Sequence, residues 1–360
     1  YNELVQFGID RIEIRASYTK SAHGYPDQLQ SSSISGTMQN RQKVLKGELL
    51  LTHIFNDFDH FTEQVRGGDY NMTLCAVEER IWRVSAVDLP GAMIQHGYLG
   101  SGNLVEGQSD KSGTLLYIPL SEVPGQQSAN GVTLDSHSCM TLRPGTEFDL
   151  CIRGWHEWGT VFINSDDLPG AGGPEDSTES IVSRCSERDL RMFRESVRTI
   201  MSAARSSTEF ESSSAGKHAS KFLQELAGRI VANPFVESSR QERVRHGRPA
   251  YSRRDIVLRC RSFLEEHPRS RASVTDLVRA SQVSERTLRN AFNSYFGLSP
   301  SRYLQIRLLN HVHKDLLSAD PETGSVTRTL LRHGVWEFGR FASRYSQLYG
   351  ELPSVTLSRH

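Results

Sequence analysis

Val274-Thr-Asp-Leu-Val-Arg-Ala-Ser-Gln-Val-Ser-Glu-Arg-Thr-Leu-Arg-Asn-Ala-Phe-Asn-Ser-Tyr-Phe-Gly297 is the stretch whose pattern decides the fold. A short helix would carry Leu277 and Val278 inward, and Ala280 is small where two helices approach closely. Ser281-Gln282-Val283 reads as a turn, and Ser284 as the N-cap of a second helix with Leu288, Phe292 and Tyr295 on its apolar face. Its opposite face, beginning at Ser284, offers Glu285, Arg286, Arg289, Asn290 and Asn293. Those side chains suit hydrogen bonding to base edges in a major groove. A polar helix face alone is ordinarily just solvated; here a capped turn, a small residue and an arginine bias coincide, which implies a helix-turn-helix unit.

Working outward, Ser299-Pro300 opens a helical stretch to about Ala319, with proline suited to the first turn. A second copy follows. Val326, Leu330 and Leu331 lie on a supporting helix, and His333-Gly334-Val335 makes the turn. Trp336 to Tyr349 is predicted as the second reading helix, with Phe341, Tyr345 and Leu348 inward. Its outer face carries Trp336, Glu337, Arg340, Ser343, Arg344 and Gln347; Gly350 ends it and Pro353 follows. The intervening helix of about 20 residues spans roughly 30 Å at about 1.5 Å per residue, close to one DNA turn. Two reading helices so spaced reach successive major grooves on one face of a duplex. Arg302 and Arg307 on the intervening helix are the candidate phosphate contacts.

Charge supports this partner once the chain is divided. The 360 residues hold 42 Lys and Arg against 42 Asp and Glu, a net of zero. Residues 233–360 carry 21 basic against 12 acidic side chains, and Lys314 is their one lysine. The first 232 residues carry the compensating net of −9. An arginine-rich half suits duplex DNA, because the guanidinium binds phosphate and guanine edges bidentately. The length favours more than one domain, and 37% hydrophobic residues exclude disorder throughout. No apolar run spans a bilayer and no secretory signal pattern is present, so a cytoplasmic protein without a membrane partner is expected. Cys75, Cys139, Cys151, Cys185 and Cys260 are scattered without a CxxC pair and read as reduced thiols.

Residues 1–165 read as a β domain. Ile9–Arg15, Met72–Val77, Leu115–Leu120 and Glu147–Arg153 are strand-like. Turn signals fall at Arg66–Asp69, Leu89–Gly91, Gly100–Asn103, Val123–Gly125 and Arg143–Gly145. Many short strands at this spacing suggest a sandwich or small barrel. One helix interrupts them, capped by Asn56 or Asp57 and running to Val65, with Phe55, Phe58, Phe61 and Val65 at helical spacing. Residues 166–232 begin with a breaker, Asp166 to Pro174. Two amphipathic helices follow, with Leu190, Phe193, Val197, Ile200 and Met201 on one and Phe222, Leu223, Leu226, Ile230 and Val231 on the other. They would pack on the β domain or pair two chains in a homodimer. Residues 233–252 form the linker and 253–360 the DNA-binding domain.

Residues 253–358 resemble the AraC/XylS family of bacterial transcription regulators. The resemblance is carried by Ser284-Glu285-Arg286-Thr287-Leu288-Arg289-Asn290-Ala291-Phe292, Gly297-Leu298-Ser299-Pro300 and Tyr303-Leu304. Gly334, Gly339-Arg340-Phe341-Ala342, Tyr345, Gly350 and Pro353 continue it. It implies an all-α domain of two helix-turn-helix units joined by a linker helix, in a transcription activator that works with RNA polymerase. Leu308 stands where the family favours a basic residue, Leu330 where it favours alanine and Val335 where it favours phenylalanine. More weakly, Arg143-Pro144-Gly145-Thr146-Glu147-Phe148 and the Phe58-to-Gly68 helix are similar to regulators of ethanolamine-utilisation operons. That similarity implies a cupin-like β domain binding a small-molecule effector. It also directs attention to Asp135-Ser136-His137-Ser138-Cys139-Met140, near a cobalamin-ligand pattern; Met140 replaces the required glycine, and the segment reads as strand.

Rival chemistries are thinly supported. His23, His53, His60, His96, His137 and His156 are dispersed, with no His-x-His in residues 1–232, so no metal and no cofactor is expected. Trp82 and Trp155-His156-Glu157-Trp158 would line an effector pocket or fill the core. No phosphate loop, nucleophile elbow or kinase signature occurs, and Cys260 lacks a Pro-Cys-His setting, so an enzyme is not expected. A cupin-type metalloenzyme fused to a DNA-binding domain and a partner-binding anti-activator stay open as alternatives.

Overall fold

The computed structural model describes residues 52–121, 127–168, 181–232, 251–267 and 271–359. The strand expected at Ile9–Arg15, the turn at Val123–Gly125, most of the breaker segment and the linker up to residue 250 lie outside them.

Strand β1 (Thr52–Phe55) leads into helix α1 (Phe58–Thr62), whose N-cap is Asp57, its Oδ1 accepting the backbone N–H of Asp59 at 2.9 Å. The next two strands are far longer than the pattern predicts: β2 (Gly68–Leu89) and β3 (Ala92–Ser109) form one antiparallel hairpin. Register shifts at Leu74/Ala76 and Val77/Trp82 let it bend without ending. Gly100–Asn103, expected as a turn, lies inside β3. The reason is close approach: a Cβ on Gly100 would sit 2.3 Å from the Glu79 carbonyl oxygen of β2.

Strands β4 (Gly113–Pro119), β5 (Gln127–Ala129), β6 (Val132–Leu134), β7 (Ser138–Leu142), β8 (Glu147–Ile152), β9 (His156–Asn164) and β10 (Ile181–Arg184) complete a ten-stranded sheet, every pair antiparallel. β3 is its spine: β2 runs along one edge, and β9 and then β8 pair with the other. Leu115 and Tyr117 face the interior while Leu116 and Ile118 face the opposite side, so a continuous apolar run serves two cores. Helices α2 (Glu187–Ser206) and α3 (Ser214–Ala232) cover that opposite side. Their Leu190, Phe193, Val197, Leu223 and Leu226 are buried with Ile94, Leu116 and Val161 of the sheet, whereas Phe222, expected on the same face of α3, is exposed.

Seven helices follow: α4 (Arg253–Glu266), α5 (Val274–Ser281), α6 (Glu285–Tyr295), α7 (Pro300–Leu317), α8 (Val326–Arg332), α9 (Phe338–Tyr349) and α10 (Pro353–Leu357). The architecture is thus an antiparallel β domain with flanking helices, then the expected all-α domain of two helix-turn-helix units joined by a linker helix. The helical domain does not stand apart from the sheet. Cys75, Leu104 and Cys151 of the sheet join the core of the first unit. Leu309 and Val312 of α7, and Phe341 and Tyr345 of α9, join the core of the sheet interior. Among the described residues no helix is long and apolar enough to cross a membrane.

Candidate nucleic-acid interface

In the first unit the α5–α6 turn is held by Gln282 in the left-handed region, φ 57°. Ser281, rather than Ala280, is the fully buried small residue, and its Oγ donates to the Leu277 carbonyl at 2.6 Å. Ser284 Oγ accepts the Thr287 N–H at 3.2 Å, so the predicted N-cap is made. Leu288, Phe292 and Tyr295 are buried, while Ser284, Glu285, Arg286, Arg289, Asn290 and Asn293 are exposed together on one face. Arg289 Nη2 lies 2.8 Å from Glu285 Oε1.

The second unit repeats this frame. Leu288, Phe292, Tyr295, Gly297 and Pro300 recur 53 residues on as Phe341, Tyr345, Leu348, Gly350 and Pro353. The turn does not keep that spacing. Gly334, φ 67°, follows Gln282 by 52 residues, so one additional residue lies between turn and helix. It has a structural consequence: α9 starts at Phe338 and not, as predicted, at Trp336, which stands in the turn 73% exposed. Glu337 occupies the N-cap position without a side-chain capping bond and instead pairs with Arg340 at 2.9 Å. Glu337, Arg340, Ser343 and Arg344 are all exposed, as their outward assignment requires. In the 53-residue frame the counterpart of Arg289 is Ala342, so Arg289 and Arg340 are not equivalent positions.

The linker helix α7 has 18 residues, roughly 27 Å at about 1.5 Å per residue. The two arginines predicted to hold phosphate have partners inside the chain. Arg302 Nη2 donates to the Cys75 carbonyl of β2 at 3.3 Å, and Arg307 Nη2 to the Leu264 carbonyl near the end of α4 at 2.9 Å. Asn310 Nδ2 donates to the Leu74 carbonyl at 3.3 Å, and His313 Nε2 lies 2.8 Å from Asp59 Oδ2. Burial would raise the Asp59 carboxyl, but the His313 hydrogen bond and the His313 and Arg359 charges outweigh it and hold it below its ordinary value.

The β domain also hydrogen-bonds the C-terminal ends of both reading helices. Ser128 Oγ donates to the Tyr295 carbonyl at 3.2 Å, and Tyr295 OH donates to Asp149 Oδ2 at 2.8 Å. Asp149 is buried and accepts from Arg261 of α4, with Glu106 Oε1 3.4 Å from the same guanidinium. Burial raises the Glu106 carboxyl, the Arg261 charge notwithstanding. Arg80 Nη2 donates to the carbonyls of Gln347 and Leu348 at 3.2 Å, closing the last turn of α9. The N-terminal turns of α6 and α9 are left exposed.

Inside the sheet lies a small cavity of about 50 Å³, its lining including Met72, Val105, Tyr117 and Trp158 and, among polar residues, Asn103, His156 and Thr160. Among the described residues Asn103 Nδ2 and Thr160 Oγ1 are buried without a hydrogen-bond partner, while His156 is held by the backbone at Gly154 and Ser101. Burial depresses His156 to about 4, so its imidazole is neutral. Of the expected pocket aromatics, Trp158 lines this cavity, Trp82 is buried with its Nε1 donating to Ser101 Oγ at 2.8 Å, and Trp155 lies on the surface against Tyr98. Asn103 and Thr160 escaped the sequence reading because a strand buried on both faces hides which polar residues point inward. Asp135 accepts from His137 N–H and Ser138 Oγ, a local turn into β7. Among the described residues no group of three or more His, Cys, Asp and Glu is placed to hold a metal ion.

Two helix-turn-helix units with exposed, arginine-bearing reading faces, joined by one helix, define a DNA-binding protein. Residues 277–359 match the family described as "Helix-turn-helix domain". The chain is similar, 32% identical over 142 residues, to the "XylDLEGF operon transcriptional activator 2" of Pseudomonas putida, the match covering 39% of this chain and 81% of that protein. It is 33% identical over 132 residues to the "Probable thc operon regulatory protein" of Rhodococcus erythropolis, covering 37% of this chain and 40% of that one. Among solved structures, "a probable AraC family transcriptional regulator from Rhodopseudomonas palustris CGA009" matches at 29% identity and a TM-score of 0.27, covering 29% of this chain and 96% of that chain. The chain belongs to the AraC/XylS family of transcription regulators, a family of DNA-binding proteins rather than enzymes.

Proposed function

We propose that this regulator is a sequence-specific transcription activator whose α6 and α9 enter successive major grooves on one face of the operator. The observation that carries the reading is the pair of exposed N-terminal turns, each opening a helix with arginine on its outer face, in two units joined by α7. Ser284, Glu285, Arg286, Arg289, Asn290 and Asn293 sample one groove, and Trp336, Glu337, Arg340, Ser343 and Arg344 the other. Arg302 and Arg307 would reach phosphate only after leaving their carbonyl partners.

Control by a small molecule through the β domain belongs to the same reading. The apolar cavity inside the sheet is the place we assign to such a ligand, and its about 50 Å³ would have to widen to admit one. An occupant would act by changing how firmly the β domain holds α6, α7 and α9, which requires that it bind the two arrangements with different affinity. Contact with RNA polymerase and pairing of two chains on DNA complete the proposal. The test is footprinting of the full chain on its neighbouring promoter, with and without candidate metabolites. Protection of two adjacent grooves on one face, altered by one metabolite, is expected. DNA affinity that does not depend on salt would sink the reading.

A further inference from the structure

The two units do not present the same chemistry at the end that meets DNA. In the first, the opening turn of α6 carries Glu285 and Arg286. In the 53-residue frame those positions become Phe338 and Gly339 in α9, preceded by the additional residue Trp336. Trp336 is 73% exposed and Phe338 38%, with Leu331 of α8 also exposed beside the turn. A second oddity coincides with them. Gly339 sits in the first turn of a helix, where alanine is the better helix former, yet a Cβ built on it would meet nothing within 4 Å. Nothing inside the chain requires a glycine there.

We infer that the opening turn of α9, Trp336, Phe338 and Gly339, is an apolar reader of thymine 5-methyl groups, with Gly339 leaving room for close approach of the duplex. This rests on the DNA-binding reading of the second unit. The occupant is argued from charge as well as from shape. Arg328, Arg332, Arg340 and Arg344 are exposed on the same two helices, within a half of the chain whose net charge is +9. A polyanion suits that rim, and the base edge that offers an apolar group in the major groove is thymine. The first unit then reads hydrogen-bonding edges while the second reads methyl groups, so the two subsites of the operator differ in kind.

The test uses the full chain and a duplex enriched by it from a random-sequence library. Each thymine is replaced in turn by deoxyuridine, which removes the methyl group alone. Uracil at one or two positions of one subsite is expected to weaken binding about fourfold per methyl, the equivalent of roughly 0.8 kcal/mol. Trp336→Ala should bind more weakly and lose its sensitivity at those positions, and Gly339→Leu should bind more weakly while folding normally. If no position responds to uracil, or if Trp336→Ala and Phe338→Ala keep the wild-type response, the inference is overturned and the patch is a protein contact. A library that shows no enrichment overturns the DNA-binding reading itself.

Discussion

Arg289 and Glu285 lie one turn apart on α6 with Nη2 and Oε1 2.8 Å from each other, both side chains well exposed. An exposed pair of this kind is worth less than about 1 kcal/mol, so its role is to orient the guanidinium, not to hold the helix. Arg289→Ala should therefore leave thermal stability almost unchanged. It should cost roughly 1–3 kcal/mol on the operator and little on random duplex, read by titration at fixed salt. Equal losses on both DNAs would make Arg289 a phosphate contact. Arg340, at a different helical position and paired with Glu337, should affect a different base pair of the operator.

Asp149 is the buried acceptor where sheet, α4 and α6 meet, bonded by Arg261 and by Tyr295 OH. Removing Asp149 leaves Arg261 with Glu106 as its remaining carboxylate and Tyr295 OH without its acceptor, at up to about 3–5 kcal/mol. Asp149→Ala should lower stability by an amount of that order, measured by denaturant unfolding. The double variant Asp149→Ala, Arg261→Met should lose less than the sum of the two single variants, because both remove the same Asp149–Arg261 contact. Simple additivity of the two single losses would show that the pair is not coupled.

The helical half was legible because its signals are local. Ser284, Ser299 and Ser325 each cap the helix that follows, and Leu288, Phe292 and Tyr295 keep one face through their spacing alone. Trp336 was misplaced into the helix because nothing in a helical pattern marks one additional turn residue. Gly100–Asn103 reads as a turn in the sequence because glycine signals a bend and a close strand crossing alike. The grip of Arg80 on α9 and of Asp149 on α6 joins residues more than a hundred positions apart, and no periodicity encodes such a contact. The same holds for Asn103, His156 and Thr160, which share a cavity only because β3 and β9 pair.

Thr160 offers a direct reading of that cavity. Its Oγ1 is buried and unpartnered, so replacing it with the nearly isosteric valine removes an unsatisfied group without changing the volume filled. Thr160→Val should stabilise the ligand-free protein by about 1 kcal/mol in thermal unfolding. The same variant should blunt any metabolite response in the footprinting experiment, since a ligand would lose one hydrogen bond. A variant less stable than wild type would mean that the hydroxyl already has a partner, such as an ordered water.

His156 sets the acid limb of stability. Its imidazole is buried and depressed to about 4, whereas in the unfolded chain it titrates near 6.5. Above pH 6.5 neither state is protonated and the group is silent. Between 6.5 and 4 the unfolded chain takes up a proton that the folded one refuses, so stability falls with pH. The loss from pH 7 to 5 is about 2 kcal/mol from this residue. His96, lowered first of all by burial, acts in the same direction. Asp59, depressed in the fold, adds its loss only at lower pH, as it protonates. Thermal unfolding of the full chain at pH 7, 6 and 5 should show this decline, and His156→Gln should flatten it. An equally steep decline in His156→Gln would place the acid sensitivity elsewhere.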